Sequence, residues 1–349
     1  MWRVGLLNAY EKLYNNKKNN NSELYKPNVL VVGNGWSGHS FSKSLDKNKY
    51  NLTIIDKNYY FLETHKMSSN FNPIKNVFIS NSKFIQDEVK EIDTKNNQVV
   101  LQNTKLKYDY LVFALGSEVN TFNIPSANKY CMFYKNVEDL IMINELKKNY
   151  INIIGGGAVG IELAYKLYKQ GNVINIIEAF DILPGYSENT KNKIKKDLEN
   201  KKKIHLFNNC KVTAIIPNEV LSIHHPNRLY AIKAIRNNLE DMYFPYETAI
   251  WTAGIKCHRL KPEQKDNVFI IGDNSRNGPP TAQKAKQEGE WLAKYFNNSL
   301  DDKYKNFEFK GKGKIIHTDD GMFIEFSSNC TLWLPECFNW IIYKIIDLL

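Results

Sequence analysis

The sequence has few of the features that mark a dithiol or a metal centre. Its five cysteines, at positions 131, 210, 257, 330 and 337, form no C-x-x-C pair. This spacing argues against a dithiol redox centre and against a cysteine-rich zinc site. We therefore expect free thiols in a reducing compartment and no bound metal. A disulfide between Cys330 and Cys337 is left open, but small buried side chains are the favoured interpretation.

Long apolar runs are also missing. No stretch of 18 uninterrupted apolar residues occurs, so no membrane-spanning helix is expected. No zinc-finger, homeodomain or aromatic-basic sheet pattern appears, so we expect no nucleic-acid partner. The net charge is +10, and much of it comes from lysines scattered among asparagines. Compositional bias and attraction to an anionic membrane surface both explain this excess.

The first 27 residues precede the regular pattern. The stretch MWRVGLLNAYEKLY places apolar side chains at helical spacing, and an Asn/Lys-rich stretch then runs to Pro27. An amphipathic mitochondrial targeting segment is one interpretation, but arginine is scarce and Glu11 is acidic. A frayed helix or a surface anchor is the alternative. We therefore expect residues 1–27 to be an N-terminal segment and linker.

A glycine-rich loop follows the first β-branched run, Val29 to Val32. It reads G-x-G-x-x-G, with Gly33, Gly35 and Gly38, and a helical stretch comes directly after it. The glycines allow a tight turn, close approach of a pyrophosphate, and packing of helix on strand. Asp56 ends the next strand, where a ribose hydroxyl needs an acceptor. The alternative for Asp56 is a strand-end cap.

The same pattern restarts in the middle of the chain, at NYINIIGGGAVGIELA. Gly155, Gly157 and Gly160 form the second loop, and Glu178 ends the following strand. An acid at that position accepts from an unmodified 2′-hydroxyl and repels a 2′-phosphate, so NADH is favoured over NADPH. We expect Glu162 on the first turn of the helix, where proximity to the nicotinamide is weighed against capping or packing.

The duplicated strand, glycine loop and helix predict the fold class. We expect an α/β protein with two Rossmann-like dinucleotide-binding domains and a short C-terminal α+β tail. The economical pair of cofactors is FAD in the first domain and NADH in the second. The expected boundaries are residues 28–120 and 262–300 for the FAD domain, 121–261 for the NADH domain and 301–349 for the C-terminal region.

A third element supports the flavin assignment. In NVFIIGD, Gly272 and Asp273 end a strand, and an acid there can bond the ribityl chain of a flavin; a plain helix N-cap is the alternative. Gln283 and Gln287 follow in NGPPTAQKAKQEG, and their spacing puts both amides on one helical face. The C-terminal stretch 332–349 distributes its polar residues on one side of a helical wheel, as in a helix that lies in a membrane interface. A helix packed on its own domain or on a partner subunit is the alternative.

Taken together, these stretches resemble the flavin-dependent pyridine-nucleotide oxidoreductases. Within them, the chain is most similar to the alternative (type II, rotenone-insensitive) NADH:quinone oxidoreductases. The glycine loops are shared by the whole superfamily, whereas Trp36 after the first loop, the ALGS closure and the PPTAQ…Q segment are more specific to the quinone-reducing branch. The matching stretches are VVGNGWSGHSFSKSLD, NYYFLET, YDYLVFALGSEVNTFNIP, IIGGGAVGIELA, NIIEAFDILPGY, IWTAGI and IIGDNSRNGPPTAQKAKQEGEWLAKYF.

The resemblance implies a role for each matched residue. FAD would be held by Gly33, Gly35, Trp36, Gly38, Asp56, Thr64, Leu115, Gly116, Gly272 and Asp273. NADH would be held by Gly155, Gly157, Gly160, Glu162 and Glu178, and Gln283 and Gln287 would line a quinone pocket. Electrons would pass from NADH through FAD to a membrane quinone by a ping-pong mechanism, without proton pumping. A peripheral membrane location, such as the mitochondrial inner membrane, and a homodimer would follow.

Three departures from the family pattern leave alternatives open. Only KCHRLKPEQKD remains between WTAGI and NVFIIGD, His65 replaces the usual proline after FLET, and the C-terminal portion is short. These differences fit an altered or non-catalytic FAD-binding protein as well as an enzyme. An antioxidant-type NAD(P)H:quinone reductase flavoprotein would share the fold. A sulfide:quinone or thiol-disulfide reductase is disfavoured, because no cysteine closely follows the first glycine loop.

Overall fold

The computed structural model describes residues 25–69, 72–217, 230–237, 239–275 and 277–338. The N-terminal stretch 1–14, with its open interpretations, and the last eleven residues of the chain lie outside this range. Within it, the chain forms two compact units. The first unit comprises residues 25–59, 76–116 and 260–309. The second comprises residues 60–75, 117–259 and 310–338.

The helices and strands are numbered in chain order. The α-helices are α1 (Trp36–Ser44), α2 (Ala127–Tyr130), α3 (Val137–Asn144), α4 (Ala158–Lys169), α5 (Glu188–Asn200) and α6 (Ala282–Asn297). The strands are β1 (Asn28–Val32), β2 (Asn51–Asp56), β3 (Tyr60–Leu62), β4 (Ile74–Asn76), β5 (Lys83–Gln86), β6 (Glu91–Asp93), β7 (Gln98–Val100), β8 (Lys105–Lys107), β9 (Tyr110–Phe113), β10 (Ser117–Val119), β11 (Met132–Phe133), β12 (Tyr150–Ile154), β13 (Val173–Ile177), β14 (Ile204–Phe207), β15 (Cys210–Pro217), β16 (Tyr230–Arg236), β17 (Glu240–Tyr246), β18 (Thr248–Trp251), β19 (Ile255–Cys257), β20 (Val268–Ile270), β21 (Lys314–His317), β22 (Gly321–Ser327) and β23 (Cys330–Pro335).

The first unit is built on a five-stranded parallel sheet in the order β20-β9-β1-β2-β5. The central strand β1 is apolar on both faces, because parallel sheets of this type are covered on both sides. On one face, α1 and α6 pack together, and the rings of Phe41 and Phe296 meet edge to face with centroids 5.3 Å apart. On the other face, Val32 and Ile55 belong to a core that also contains Val99 of the small antiparallel sheet β6-β7-β8.

The second unit repeats this plan. Its parallel sheet has the order β11-β18-β12-β13-β14, with β12 in the position that β1 occupies in the first sheet. Helix α4 follows β12 and buries Tyr165 and Leu163 in the same core as Ile153. An antiparallel sheet, β15-β16-β17, packs on the other face through Ile232 and Phe244. The predicted α/β class with two Rossmann-like sheets is therefore confirmed.

The C-terminal strands β21, β22 and β23 form an antiparallel sheet within the second unit. Glu325 of β22 joins this sheet to the start of α5, because its carboxylate accepts from the backbone N–H and hydroxyl of Ser187, from Thr190 and from Lys314. Burial opposes its charge, but these hydrogen bonds prevail and hold the pKa of Glu325 at about 2. The sheet is thus fixed to the second unit by a buried polar network.

The helix expected from residue 332 onward is wrong where the structure describes it. Leu332 lies in β23 and pairs with Ile324 of β22, and a short 3₁₀ turn, Glu336–Phe338, follows. The remaining residues of that stretch, 339–349, lie outside the described part of the chain. An edge strand and an amphipathic helix both tolerate a mixture of apolar and polar side chains, so the helical wheel did not separate them.

The strand β23 also answers the open question about Cys330 and Cys337. Cys330 begins this six-residue strand and Cys337 lies beyond its end. At about 3.3 Å per residue, the strand carries the backbone roughly 16 Å from Cys330 to Pro335. The two further residues to Cys337 span at most about 7 Å, so they cannot bring it back within the roughly 7 Å that a disulfide needs. Both cysteines are exposed free thiols, so the expectation of burial is wrong for this pair.

Candidate functional site

The first glycine loop connects β1 to α1. Gly33 has φ +98°, and a Cβ on it would come within 2.6 Å of the carbonyl carbon of Ala114. A Cβ on Gly38 would overlap the carbonyl oxygen of Gly33 and lie 3.0 Å from its carbon. Gly35 differs, because among the described residues no atom beyond Gly35 and its two chain neighbours lies within 4 Å of its Cβ position. Gly33 and Gly38 therefore close the turn, and Gly35 borders open space.

Asp56 at the end of β2 braces this loop. Its Oδ2 accepts from the backbone N–H of Asn34 at 2.6 Å, and its Oδ1 accepts from the N–H of Asn58 at 2.8 Å. Burial raises the pKa of Asp56 above the usual range for an aspartate, against the pull of these hydrogen bonds. The carboxylate of Asp56 is thus anchored beside the glycine turn.

The second glycine loop reproduces the first between β12 and α4. Gly155 has φ +110°, and its Cβ would come within 2.6 Å of the Cα of Ala253. A Cβ on Gly160 would overlap the carbonyl oxygen of Gly155 and approach Thr252 Oγ1 to 2.7 Å. Around Gly157, as around Gly35, the described residues leave at least 4 Å of open space.

Glu178 follows β13 and occupies the position that Asp56 has after β2. Its Oε2 accepts from the backbone N–H of Gly156 at 2.6 Å, and its Oε1 accepts from the N–H of Phe180 at 2.9 Å. In both loops, therefore, the acid bonds the residue that directly follows the first glycine. The two units repeat the same loop, acid and contact.

Each glycine loop and the acid bonded to it form a cradle, at Gly33–Gly38 with Asp56 and at Gly155–Gly160 with Glu178. The two cradles fit dinucleotide pyrophosphates. In each unit a buried parallel strand ends at a glycine turn, and the N-cap of the following helix is a glycine, Gly35 or Gly157, that borders open space. The N-terminus of a helix carries partial positive charge and free backbone N–H groups that suit phosphate oxygens. Trp36 is the first residue of α1 and is half-buried.

A short turn, Gly272–Asn274, follows β20 in the first unit. The amide Nδ2 of Asn274 donates to the carbonyl oxygen of Gly116, so the turn is joined to the Leu115-Gly116 segment after β9. Asp273 is half-buried within this turn. It does not cap α6, because α6 starts only at Ala282 and its N-cap is Thr281, whose side chain accepts from the N–H of Lys284 at 3.2 Å. The N-cap alternative for Asp273 is therefore wrong.

Helix α6 carries both predicted glutamines. Gln283 and Gln287 lie one turn apart and are half-buried. They belong to the first unit, together with Gly33, Gly35, Trp36, Gly38, Asp56, Leu115, Gly116, Gly272 and Asp273. Thr64 does not, because it lies in the 3₁₀ turn Thr64–Lys66 of the second unit and is exposed.

Glu162 belongs to the second unit and lies in the second turn of α4, so the expected place in the first turn is wrong. Its Oε1 accepts from the backbone N–H of His317 at 3.0 Å, which joins α4 to β21. The residue as a whole has intermediate exposure, but its carboxyl is surrounded by protein, and this burial raises its pKa to about 8. Burial, together with the neighbouring His65, lowers the pKa of His317 to about 4.

A Glu162→Gln variant should remove a pH dependence of the free energy of unfolding. The native pKa of about 8 lies above the ordinary value of 4.5, so the stabilisation is complete below pH 4.5 and is lost as pH rises through 8. His317, whose pKa is lowered from 6.5, adds no slope above pH 6.5. From pH 6.5 to pH 8, urea titrations of the wild type should show the free energy of unfolding fall by roughly 1–2 kcal/mol, and the variant should lack this fall. The exposed Glu199→Gln variant is the control, and an unchanged slope in Glu162→Gln would contradict the assignment.

Sequence reasoning missed the buried charged pair on α6. Lys284 and Glu288 are 1% and 0% exposed and form an ion pair at 2.7 Å. Their i,i+4 spacing was visible in the sequence, but such pairs are usually solvated. The contact of Glu162 with β21 was also missed, because it joins residues 155 positions apart.

Two glycine cradles, each with an acid bonded to its turn, define a protein with two dinucleotide sites. The sequence model of the pyridine nucleotide-disulphide oxidoreductase family matches residues 27–289, and the chain belongs to this family. Among curated relatives, a probable NADH dehydrogenase of Dictyostelium discoideum is 26% identical, with 83% of this chain and 78% of the relative covered. External NADH-ubiquinone oxidoreductase 2, mitochondrial, of Saccharomyces cerevisiae is 25% identical, with 79% and 63% covered. The predicted resemblance is thus confirmed.

Solved structures show the same fold. NDH2 from Plasmodium falciparum in complex with NADH superposes with a TM-score of 0.78 at 19% identity, covering 93% of this chain and 94% of that one. The chain spans from 52% to 78% of the length of the curated relatives named here and of a potato external alternative NAD(P)H-ubiquinone oxidoreductase. Among the described residues, no helix is long and apolar enough to cross a membrane.

Proposed function

We propose that this protein is a type II NADH:quinone oxidoreductase, a flavoprotein that takes electrons from NADH and delivers them through FAD to a quinone. The observation that supports it most directly is the repeated cradle. Asp56 and Glu178 each accept at 2.6 Å from the first loop N–H after a positive-φ glycine, in two separate sheets. Binding of two dinucleotides, with electron transfer from one to the other, explains why one chain carries two cradles.

The first unit would hold FAD. The open space at Gly35 would admit the pyrophosphate, Asp56 would accept from the ribose, and the turn at Asp273 would meet the ribityl chain. The remaining contacts from this unit would come from Gly33, Trp36, Gly38, Leu115, Gly116 and Gly272. Bound FAD supplies the chemistry that no side chain offers, which is acceptance of a hydride and its release as two electrons.

The second unit would hold NADH at Gly155, Gly157 and Gly160. Glu178 keeps lone pairs on both carboxylate oxygens after its two backbone contacts, so it can still accept from a 2′-hydroxyl. Its charge would repel a 2′-phosphate and favour NADH. Glu162 would hold a proton at neutral pH, since its pKa is about 8, and could exchange that proton near the nicotinamide.

Gln283 and Gln287 would contact the quinone. An amide offers N–H donors to quinone carbonyls without bringing a titrating charge. The membrane would be reached through the C-terminal region, where Leu332 and Trp333 are 50% and 44% exposed and Phe338 is 45% exposed. The mitochondrial inner membrane is the proposed location, with the protein bound to its surface. Flotation with anionic liposomes tests the attachment, and light scattering tests for a homodimer.

Anaerobic titration of the purified protein tests the proposed function. The protein should be yellow, one equivalent of NADH should bleach its flavin absorbance, and a short-chain quinone should restore the colour. Loss of the flavin absorbance requires the second unit to bind NADH, and its return requires the quinone to reach the flavin. The two half-reactions are therefore measured separately. A yellow protein that NADH cannot bleach would favour a non-catalytic FAD-binding role. A colourless protein that takes up no FAD would overturn the proposal.

A further inference from the structure

The buried ion pair of α6 binds both backbone groups of a single residue, Gly272. The ammonium of Lys284 donates to the carbonyl oxygen of Gly272 at 2.8 Å, and Glu288 Oε2 accepts from the N–H of Gly272 at 2.7 Å. The third donor of Lys284 reaches the hydroxyl of Ser275, whose own proton goes to the same carbonyl oxygen at 2.8 Å. Every donor of the lysine is therefore used on Glu288 or on this turn.

The turn is confined from its other sides as well. A Cβ on Gly272 would lie 2.5 Å from the hydroxyl oxygen of Ser37, one residue into α1. A Cβ on Gly289 would overlap the carbonyl oxygen of the same Ser37, so α6 and α1 touch through their backbones there. Asn274 holds the far end of the turn on Gly116. The position of Gly272 is thus set by α6 and α1 together.

Stability alone does not explain such a pair. Removing two charges from water costs more than their attraction returns in many proteins, and apolar residues of similar volume often stabilise equally well. A buried pair that fixes one backbone residue instead serves conformational specificity. The residue fixed here begins the turn that carries Asp273, and Gln283 and Gln287 directly precede the two charged residues on α6.

We infer that Lys284 and Glu288 are positioning residues for the flavin. The pair holds the turn Gly272–Asn274 in the shape that receives FAD, and it ties that turn to the stretch of α6 that bears Gln283 and Gln287. The inference rests on the proposed function, because it requires that FAD binds the first unit. Neither side chain is assigned a contact with FAD. Both act through the backbone of Gly272.

A double variant separates positioning from folding. Lys284→Met/Glu288→Leu replaces the pair by apolar side chains, so no charge is left unpaired, and the far-UV circular dichroism should stay native. The N–H of Gly272 nevertheless loses its acceptor, and its carbonyl oxygen loses the ammonium and keeps only the contacts from Ser275. We expect FAD to dissociate about 10- to 100-fold faster, followed as the rise of flavin fluorescence after dilution. NADH binding to the second unit should be unchanged.

A second double variant restores one contact. Lys284→Met/Glu288→Gln keeps a carbonyl that can accept from the N–H of Gly272, so FAD should dissociate more slowly than from the Met/Leu variant. Lys286→Met/Glu290→Gln alters the neighbouring i,i+4 positions of the same helix and should release FAD at the wild-type rate. Ser275→Ala removes an acceptor of Lys284 and leaves both charges paired, and it should speed release about 3- to 10-fold.

The outcomes distinguish this inference from the proposed function. If the Met/Leu variant keeps native structure and releases FAD at the wild-type rate, the pair has no positioning role, although the proposed function stands. If the Met/Leu variant does not fold, an unchanged rate in Ser275→Ala overturns the inference by itself. A wild-type protein that binds no FAD would overturn both.

Discussion

Replacing Gly38 by alanine should leave the protein without bound FAD. The added Cβ would overlap the carbonyl oxygen of Gly33 and press on Ala114 at 3.2 Å. The first neighbour is a backbone atom and the second is the Cβ of Ala114, which has no rotatable side chain. The strain therefore cannot be relieved by a side-chain rotation. We expect a destabilisation of about 3 kcal/mol or more for the first unit. Flavin absorbance of the purified protein, together with urea unfolding, measures it.

Two further variants serve as matched controls for Gly38→Ala. Gly35→Ala places its Cβ in open space, so the fold should persist while FAD binds more weakly. Gly160→Ala reproduces the clash in the second loop, against Gly155 and Thr252, and should abolish NADH binding while the colour of the flavin remains. A Gly38→Ala protein that retains wild-type absorbance would show that the loop can shift, and the assigned packing role of Gly38 would be wrong.

A Glu178→Gln variant should change the preference for NADH over NADPH. The amide oxygen still accepts from the N–H of Gly156, so the glycine loop should keep its shape. The negative charge and the contact with the N–H of Phe180 are lost. A hydrogen bond to a charged acceptor contributes about 1.5–3 kcal/mol, so kcat/KM for NADH should fall about 10- to 100-fold. The value for NADPH should rise, since repulsion of the 2′-phosphate disappears. Steady-state kinetics with both coenzymes measure the ratio.

The control for this change is Asp56→Asn in the first unit. Asp56 makes the equivalent contact with Asn34, so the substitution alters the other cradle in the same way. It should weaken FAD retention and leave the ratio of NADH to NADPH activity unchanged in protein saturated with FAD. An unaltered ratio in Glu178→Gln would contradict the placement of the NADH ribose at this carboxylate.

The features that the sequence predicted well are local ones. Gly33 and Gly38 are five residues apart, and Asp56 follows on the adjacent strand, so loop, helix and acid are set by short-range order. The same strand, glycine loop, helix and acid recur in the second unit, which supported the prediction of a second dinucleotide-binding domain. The start of α6 is a local feature too, because the side chain of Thr281 accepts from the N–H of Lys284, three residues further on. The roles of these residues toward FAD, NADH and quinone stay predictions.

The features that the sequence did not predict depend on distant neighbours. Leu332 was assigned to a helix because its pairing with β22 is not encoded in its own stretch. The buried face of α6 depends on α1, some 250 residues earlier in the chain, so Lys284 and Glu288 could not be told from a solvated pair. The bond between Glu162 and His317 likewise requires β21 to lie beside α4.

Because each glycine turn is closed by its own sheet and its own acid, the two half-reactions are genetically separable. A protein substituted at Gly160 should no longer be reduced by NADH. A chemical reductant such as dithionite should still reduce its flavin, and the quinone should still reoxidise it. Compounds that mimic the coenzyme and compounds that mimic the quinone would then select for resistance in different stretches of the gene.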